Sequence, residues 1–169
     1  MKSNFVAAAS TFLLSISLMG AASEHQDPLA VLTPLKGKWL AQPADGTKPI
    51  EVTYAYASKN TVLTEYFGKE LTVFYRDGEQ VLLTHFCNVG NQPRLKLNAD
   101  HIADTLTFEY LDATNLSHPD AAHVNAVTYH FRSADLVDAT WTWTKGGVLS
   151  SERYLLKRLP EVAADSRDR

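Results

Sequence analysis

The sequence predicts an all-β protein: a single antiparallel, up-and-down β-barrel of about ten strands with a short N-terminal helix. Three observations lead there. From residue 36 onward apolar residues recur with period two rather than 3.6. The alternating stretches are separated by short turn sequences, of which Asp77-Gly78 and Gly146-Gly147 are the clearest. At 169 residues the chain has room for one domain, and about ten consecutive strands close most readily into a barrel, which removes exposed edges.

The elements follow in order. Lys2 precedes an apolar run from Phe5 to Met19, and Gly20, Ala21, Ala22 and Ser23 close it. A positive start, an apolar centre and a small-residue exit make a secretory signal over 1–22, with cleavage after Ala22 or Ser23. The run is too short for a membrane anchor, and no later apolar run is long enough for an integral span. Removing the signal takes away Lys2 and moves the net charge from −3 to −4. Such an acidic chain argues against a nucleic-acid partner. One cysteine, Cys87, excludes an intramolecular disulfide, so stability must come from the core.

Residues 23–30 are polar and expected to be loose, although Asp27-Pro28 can start a short helix, with Asp at the cap and Pro at the first position. Leu29, Leu32 and Leu35 would face inward. The barrel spans 31–159, with strands at about 36–42, 49–58, 61–68, 71–76, 79–87, 93–98, 105–111, 122–133, 135–144 and 149–158. Ser58-Lys59-Asn60 is read as the reversal between the second and third. The charged tail 160–169 is expected to be disordered.

Alternation assigns the faces. Val137, Ala139, Trp141 and Trp143 point inside, opposite Asp138, Thr140, Thr142 and Thr144. Val52, Tyr54 and Tyr56 follow suit, as do Leu106, Phe108 and Tyr110. Leu71, Val73 and Tyr75 are read the same way against Thr72, Phe74 and Arg76. The inner face of the eighth strand carries His123, Asn125, Val127, Tyr129 and Phe131. His85 and Cys87 share a face of the fifth. The third and tenth strands are ambiguous. Meander parity puts the loops near 43–48, 69–70, 88–92, 112–121 and 145–148 at one open end, and the helix at the other as a plug.

Two segments carry a family resemblance. Leu35-Lys36-Gly37-Lys38-Trp39 resembles the Gly-x-Trp that opens lipocalins and other calycin barrels, where the Trp closes the barrel floor beside a short helix. Leu83-Thr84-His85-Phe86-Cys87-Asn88-Val89-Gly90-Asn91-Gln92-Pro93-Arg94, followed by Phe108 and Asp112-Ala113-Thr114-Asn115, is similar to a family of bacterial exported proteins of unknown function with a lipocalin-like barrel. The resemblance covers most of 30–158. It implies a fold and an exported location, periplasmic or secreted, and no established activity.

The candidate site lies at the open end. An apolar or amphipathic small molecule would insert its tail among Trp141, Val127, Tyr129 and Phe131, near Trp143. Its polar end would meet His85, His123 and Asn125, with Asn91 and Arg94 at the rim, where an arginine offers a bidentate fork to a carboxylate or phosphate. The aromatic interior either lines a cavity or fills a core, and a filled core would make the chain a structural or protein-interaction barrel; the sequence leaves both open. No cofactor is predicted. The alternative is haem or zinc on His85, Cys87 and His123, since imidazole and thiolate suit such metals. Asn115 and His118 belong to the longest rim loop, where Asn115-Leu116-Ser117 matches a glycosylation acceptor. Glu65, Glu109 and Arg153 offer acid–base groups, but no carboxylate pair is set by spacing. The sequence contains no nucleophile elbow, phosphate loop or metalloprotease helix, so it supplies no positive sign of catalysis.

Overall fold

The structure, a computed structural model, describes residues 27–100, 102 and 104–160. The expected signal and the tail beyond Pro160 lie outside the described residues. Asp27 caps the first element through its side chain, which accepts from the Leu29 backbone N–H at 3.0 Å. The element is a 3-10 helix, Pro28–Leu35, so the last residues of the stretch expected to be loose are ordered. Leu29, Leu32 and Leu35 recur every third residue, which is the 3-10 period, and all three are buried.

Ten strands follow: β1 (Gly37–Pro43), β2 (Ile50–Ala57), β3 (Val62–Phe67), β4 (Glu70–Asp77), β5 (Gln80–Phe86), β6 (Gln92–Leu97), β7 (Thr105–Thr114), β8 (His123–Ser133), β9 (Leu136–Lys145) and β10 (Val148–Arg158). Each pairs antiparallel with its chain neighbours, and β1 pairs with β10 to close the barrel. This is the predicted architecture. Gly78 takes the positive φ that its tight turn requires, and Ser58, Lys59 and Asn60 are three consecutive left-handed residues at the reversal read there. Among the described residues, no helix is long and apolar enough to cross a membrane.

Register decides which side chains lie inside. On β9 the buried set is Val137, Ala139 and Trp141, as alternation predicts. On β4 the expectation is reversed: Thr72 and Phe74 are buried, while Leu71, Val73 and Tyr75 lie on the outer face. Both faces of β4 carry apolar residues, so its own pattern is not decisive. Its neighbours decide, because Phe74 pairs with Leu63 of β3 and Leu83 of β5, both fully buried. Phe74 then meets the Phe108 ring edge-on at 5.6 Å in the middle of the core.

The helix end is sealed by a clamp. Trp39, fully buried, donates its indole N–H to the Leu35 carbonyl at 2.7 Å. The Arg158 guanidinium lies 4.1 Å from the centre of the Trp39 ring. It also donates to the carbonyls of Lys36 and Pro34, each at 2.7 Å, and of Ala134 at 2.8 Å. Gly37 sits beneath it with φ of +120°, and a Cβ there would meet Arg158 Nη1 at 3.0 Å. The first strand, the last strand, the helix and the β8–β9 turn are thereby tied at one point.

Gly37→Ala should destabilise the fold by about 1–3 kcal/mol, because it combines a backbone conformation foreign to L residues with a displaced clamp. Urea midpoints of the variant and the parent chain measure this. A shift no larger than that of an exposed strand substitution would show that the clamp adds little.

Candidate functional site

A polar row crosses the apolar interior. The ladder aligns Tyr54 of β2, Glu65 of β3, Thr72 of β4 and His85 of β5, all inward-facing and buried. Glu65 is fully enclosed. Its Oε1 accepts a short hydrogen bond from the Tyr54 hydroxyl and a second from Tyr129 at 3.3 Å. Its Oε2 has no hydrogen-bond partner. Burial raises the Glu65 pKa from 4.5 to about 7, and the hydroxyls of Tyr54, Thr72 and Tyr129 oppose the rise. Burial and the neighbouring carboxyl push both tyrosines well above their usual range.

The row continues toward the open end. Thr72 Oγ1 holds His85 Nδ1 at 3.0 Å, which leaves Nε2 facing the mouth. Nε2 is buried, has no hydrogen-bond partner and lies 3.9 Å from Glu70 Oε2. The Cys87 thiol approaches Glu70 Oε1 at 3.8 Å, and the same oxygen accepts from the Asn88 backbone N–H at 3.0 Å. The ligand atoms of Glu70, His85 and Cys87 all lie within 4.8 Å of one another. Burial lowers the His85 pKa to about 4, so its imidazole is neutral near pH 7, and burial raises that of the Cys87 thiol.

Above His85 is a cavity of about 20 Å³ lined by Phe67, Glu70, His85, Trp141, Trp143, Glu152 and Tyr154. That volume suits roughly one water molecule. The His85 ring packs 4.9 Å from Trp141 and 6.4 Å from Trp143, and the buried Trp143 indole N–H has no acceptor. Deeper in, Val127, Tyr129, Phe108 and Phe74 are fully buried in one continuous core. The interior is packed rather than hollow, so a long apolar tail finds no ready-made space among Val127, Tyr129 and Phe131.

The structure brings only some of the predicted residues together. His85, Trp141 and Trp143 surround the cavity, Cys87 stands beside Glu70, and Tyr129 lies deeper, against Glu65. His123 is elsewhere. A bulge between Val124 and Ala126 turns the β8 alternation over, so Val124 pairs with the inward Trp143 and His123 pairs with Thr144. His123 stacks on Tyr110 with ring centres 4.7 Å apart, and its Nδ1 meets the Ala121 carbonyl at 2.8 Å. His85 and Cys87 thus cluster with Glu70, and not with His123 as expected. Asn125 is the half-buried bulge residue. Asn91 is buried and ties its loop to the Ala122 carbonyl at 2.8 Å. Arg94 grips Asp112 through both carboxylate oxygens, its Nε at 2.6 Å, on the outer face opposite Thr84. It has no free fork for a ligand head group.

Sequence reasoning did not place Glu70, Glu65 or Thr72 at the site. Glu70 lies beside the β3–β4 turn, where its sequence neighbours Gly68 and Lys69 signal loop rather than strand. Glu65 has the same parity as Leu63 and Phe67, and that signal becomes readable once β2 fixes the face of β3.

Glu65 makes stability depend on pH in a definite direction. In the unfolded chain it ionises near 4.5, in the fold near 7, so between these values only the unfolded state loses the proton. Its contribution therefore falls as pH rises through that window and stays low above it. His85, with its pKa lowered from 6.5 to about 4, acts in the opposite sense over pH 4 to 6.5. The difference between Glu65→Gln and the parent chain isolates the first effect. The variant should gain relative stability from pH 4.5 to 7, read as urea midpoints. A pH-independent difference would refute a raised Glu65 pKa.

No family model matches the chain, and no curated protein shows significant similarity to it, so the chemistry of the mouth is read from its own residues.

Proposed function

We propose that the chain is an exported, lipocalin-like barrel that binds a small, short amphipathic molecule at its mouth. The observation that carries this reading is the pairing of two unpartnered polar atoms, His85 Nε2 and the Trp143 indole N–H, on one aromatic-lined cavity. A buried polar group without a partner costs about 1–3 kcal/mol, so a molecule that supplies partners to both is favoured over an apolar filler. In the tautomer whose Nδ1–H donates to Thr72 Oγ1, Nε2 accepts a hydrogen bond and the indole N–H gives one. A hydroxyl or a protonated carboxyl can answer both. Phe67, Trp141 and Tyr154 supply apolar walls, with Phe67 and Tyr154 edge-to-face at 5.0 Å. The small cavity favours a short body seated at the rim over a fatty-acid tail. The signal-like start supports export, and the buried Trp39 beside a short helix supports the calycin reading.

Benzyl alcohol, hexanol and cyclohexanol are suitable probes, and tryptophan fluorescence is the readout. At least one should shift the emission in a saturable way. Trp143→Phe should weaken its binding about tenfold, the equivalent of one hydrogen bond. A flat response to all three probes would remove this reading. For export, the full chain expressed in a secreting bacterial host should be recovered outside the cytoplasm with residue 23 or 24 at its N-terminus. An uncleaved chain retained in the cytoplasm would overturn that part.

A further inference from the structure

We propose that Glu70, His85 and Cys87 form a three-ligand site for a divalent transition metal, zinc being the best match, with its fourth position opening on the mouth cavity. The proposal rests on the reading of the mouth as a binding site; when metal is bound, His85 Nε2 coordinates it, and the incoming oxygen then meets the metal in place of Nε2.

The fold brings the three together by simple geometry. His85 lies on β5 and Cys87 directly follows its last residue, Phe86, and their ligand atoms come to the same side. The pairing of Leu71 with Phe86 sets Glu70 alongside Cys87 across the β4–β5 ladder. Imidazole, thiolate and carboxylate are the donor types that zinc takes, and a three-residue set that leaves one position open is the arrangement of reactive rather than structural zinc. Tetrahedral zinc, with bonds of about 2.0 Å to N and O and about 2.3 Å to S, holds its donor atoms about 3.3–3.5 Å apart. Here His85 Nε2 and Cys87 Sγ stand 3.9 and 3.8 Å from the two oxygens of Glu70. A carboxylate that binds through one oxygen supplies a single donor, and the three donor atoms lie within 4.8 Å of one another, so a contraction of up to about 1.3 Å completes the site.

A separate observation points to a ligand. His85 is 1% exposed, and its Nε2 is directed at this cluster with no hydrogen-bond partner. The surroundings hold the donors in place: Thr72 fixes the Nδ1 side of the imidazole, and the Asn88 backbone N–H fixes a Glu70 oxygen. Glu70 and His85 also line the cavity, so an incoming oxygen would bind where the Trp143 N–H and the aromatic walls converge.

The test uses the purified chain after chelator treatment, titrated with cobalt(II) chloride and, separately, zinc chloride. Cobalt should give thiolate-to-metal charge-transfer absorption in the near ultraviolet at one equivalent. Zinc should bleach it and raise the melting temperature. Cys87→Ser should abolish the band, and His85→Gln and Glu70→Gln should each weaken binding at least about tenfold. Thr72→Val keeps all three donors and should weaken binding about 10–100-fold through loss of orientation alone. Circular dichroism identifies any variant that fails to fold, and Glu70→Gln, at the open edge of the site, then serves as the decisive one. A band that survives Cys87→Ser would place the metal elsewhere and overturn the proposal. Absence of band and thermal shift, with the organic probes still moving tryptophan emission, would overturn the metal site and leave the binding reading intact. Absence of every response would overturn both.

Discussion

Cross-strand register is the constraint on which the rest of this molecule depends. Once β1 pairs with β10, the sheet has no edge, and each strand must give alternate residues to an enclosed space of fixed size. Hydrophobicity alone does not always choose the side. Phe74 faces inward because Leu63 and Leu83 on its two neighbours do, and Thr72 and Glu65 are brought inside by the same alignment. The polar row Tyr54–Glu65–Thr72–His85 is thus a product of the ladder that also builds the core.

Placing a carboxyl in that interior sets its chemistry. Without water, the charged form of Glu65 loses more than three hydroxyls can return, so the neutral acid persists to about pH 7. One of these hydroxyls, that of Thr72, also holds the imidazole at the mouth. One strand further along, the row turns from neutral hydrogen bonds to a cluster of good donors: Glu70, His85 and Cys87. The barrel therefore changes character along its axis. An aromatic and aliphatic floor gives way to a buried acid, then to a neutral imidazole, then to a partly exposed carboxylate and a buried thiol. Chemistry is concentrated where strands end and loops begin, which is where rigid support and access coincide.

Much of the fold was legible in the sequence because period-two alternation and glycine turns are local signals. All ten strands and the plugging position of the helix followed from them. What escaped was non-local. The side on which β4 buries its residues depends on partners in β3 and β5. The fate of His123 depends on one extra residue in β8, which local pattern does not reveal, and the bulge moves it from the interior to a contact with Tyr110. Arg94 read as a possible head-group contact because its partner Asp112 is distant in sequence and meets it only across the β6–β7 ladder. For the site, the strand-borne His85 and Cys87 were visible as a pair. Glu70 was not, because a residue next to a turn has no face until its strand is registered.

The Arg158 clamp also bears on how the chain acquires its shape. Arg158 bonds to the Lys36 carbonyl across 122 residues, and it lies in the strand that completes the ring. Contacts of such long range form late and slow the search for the native state. Until that final segment arrives, the chain has two raw sheet edges and an unsealed floor. A molecule read from its N-terminus thus stays open to solvent and to helpers for nearly its whole length, and commits to its native topology only when its last strand is in hand.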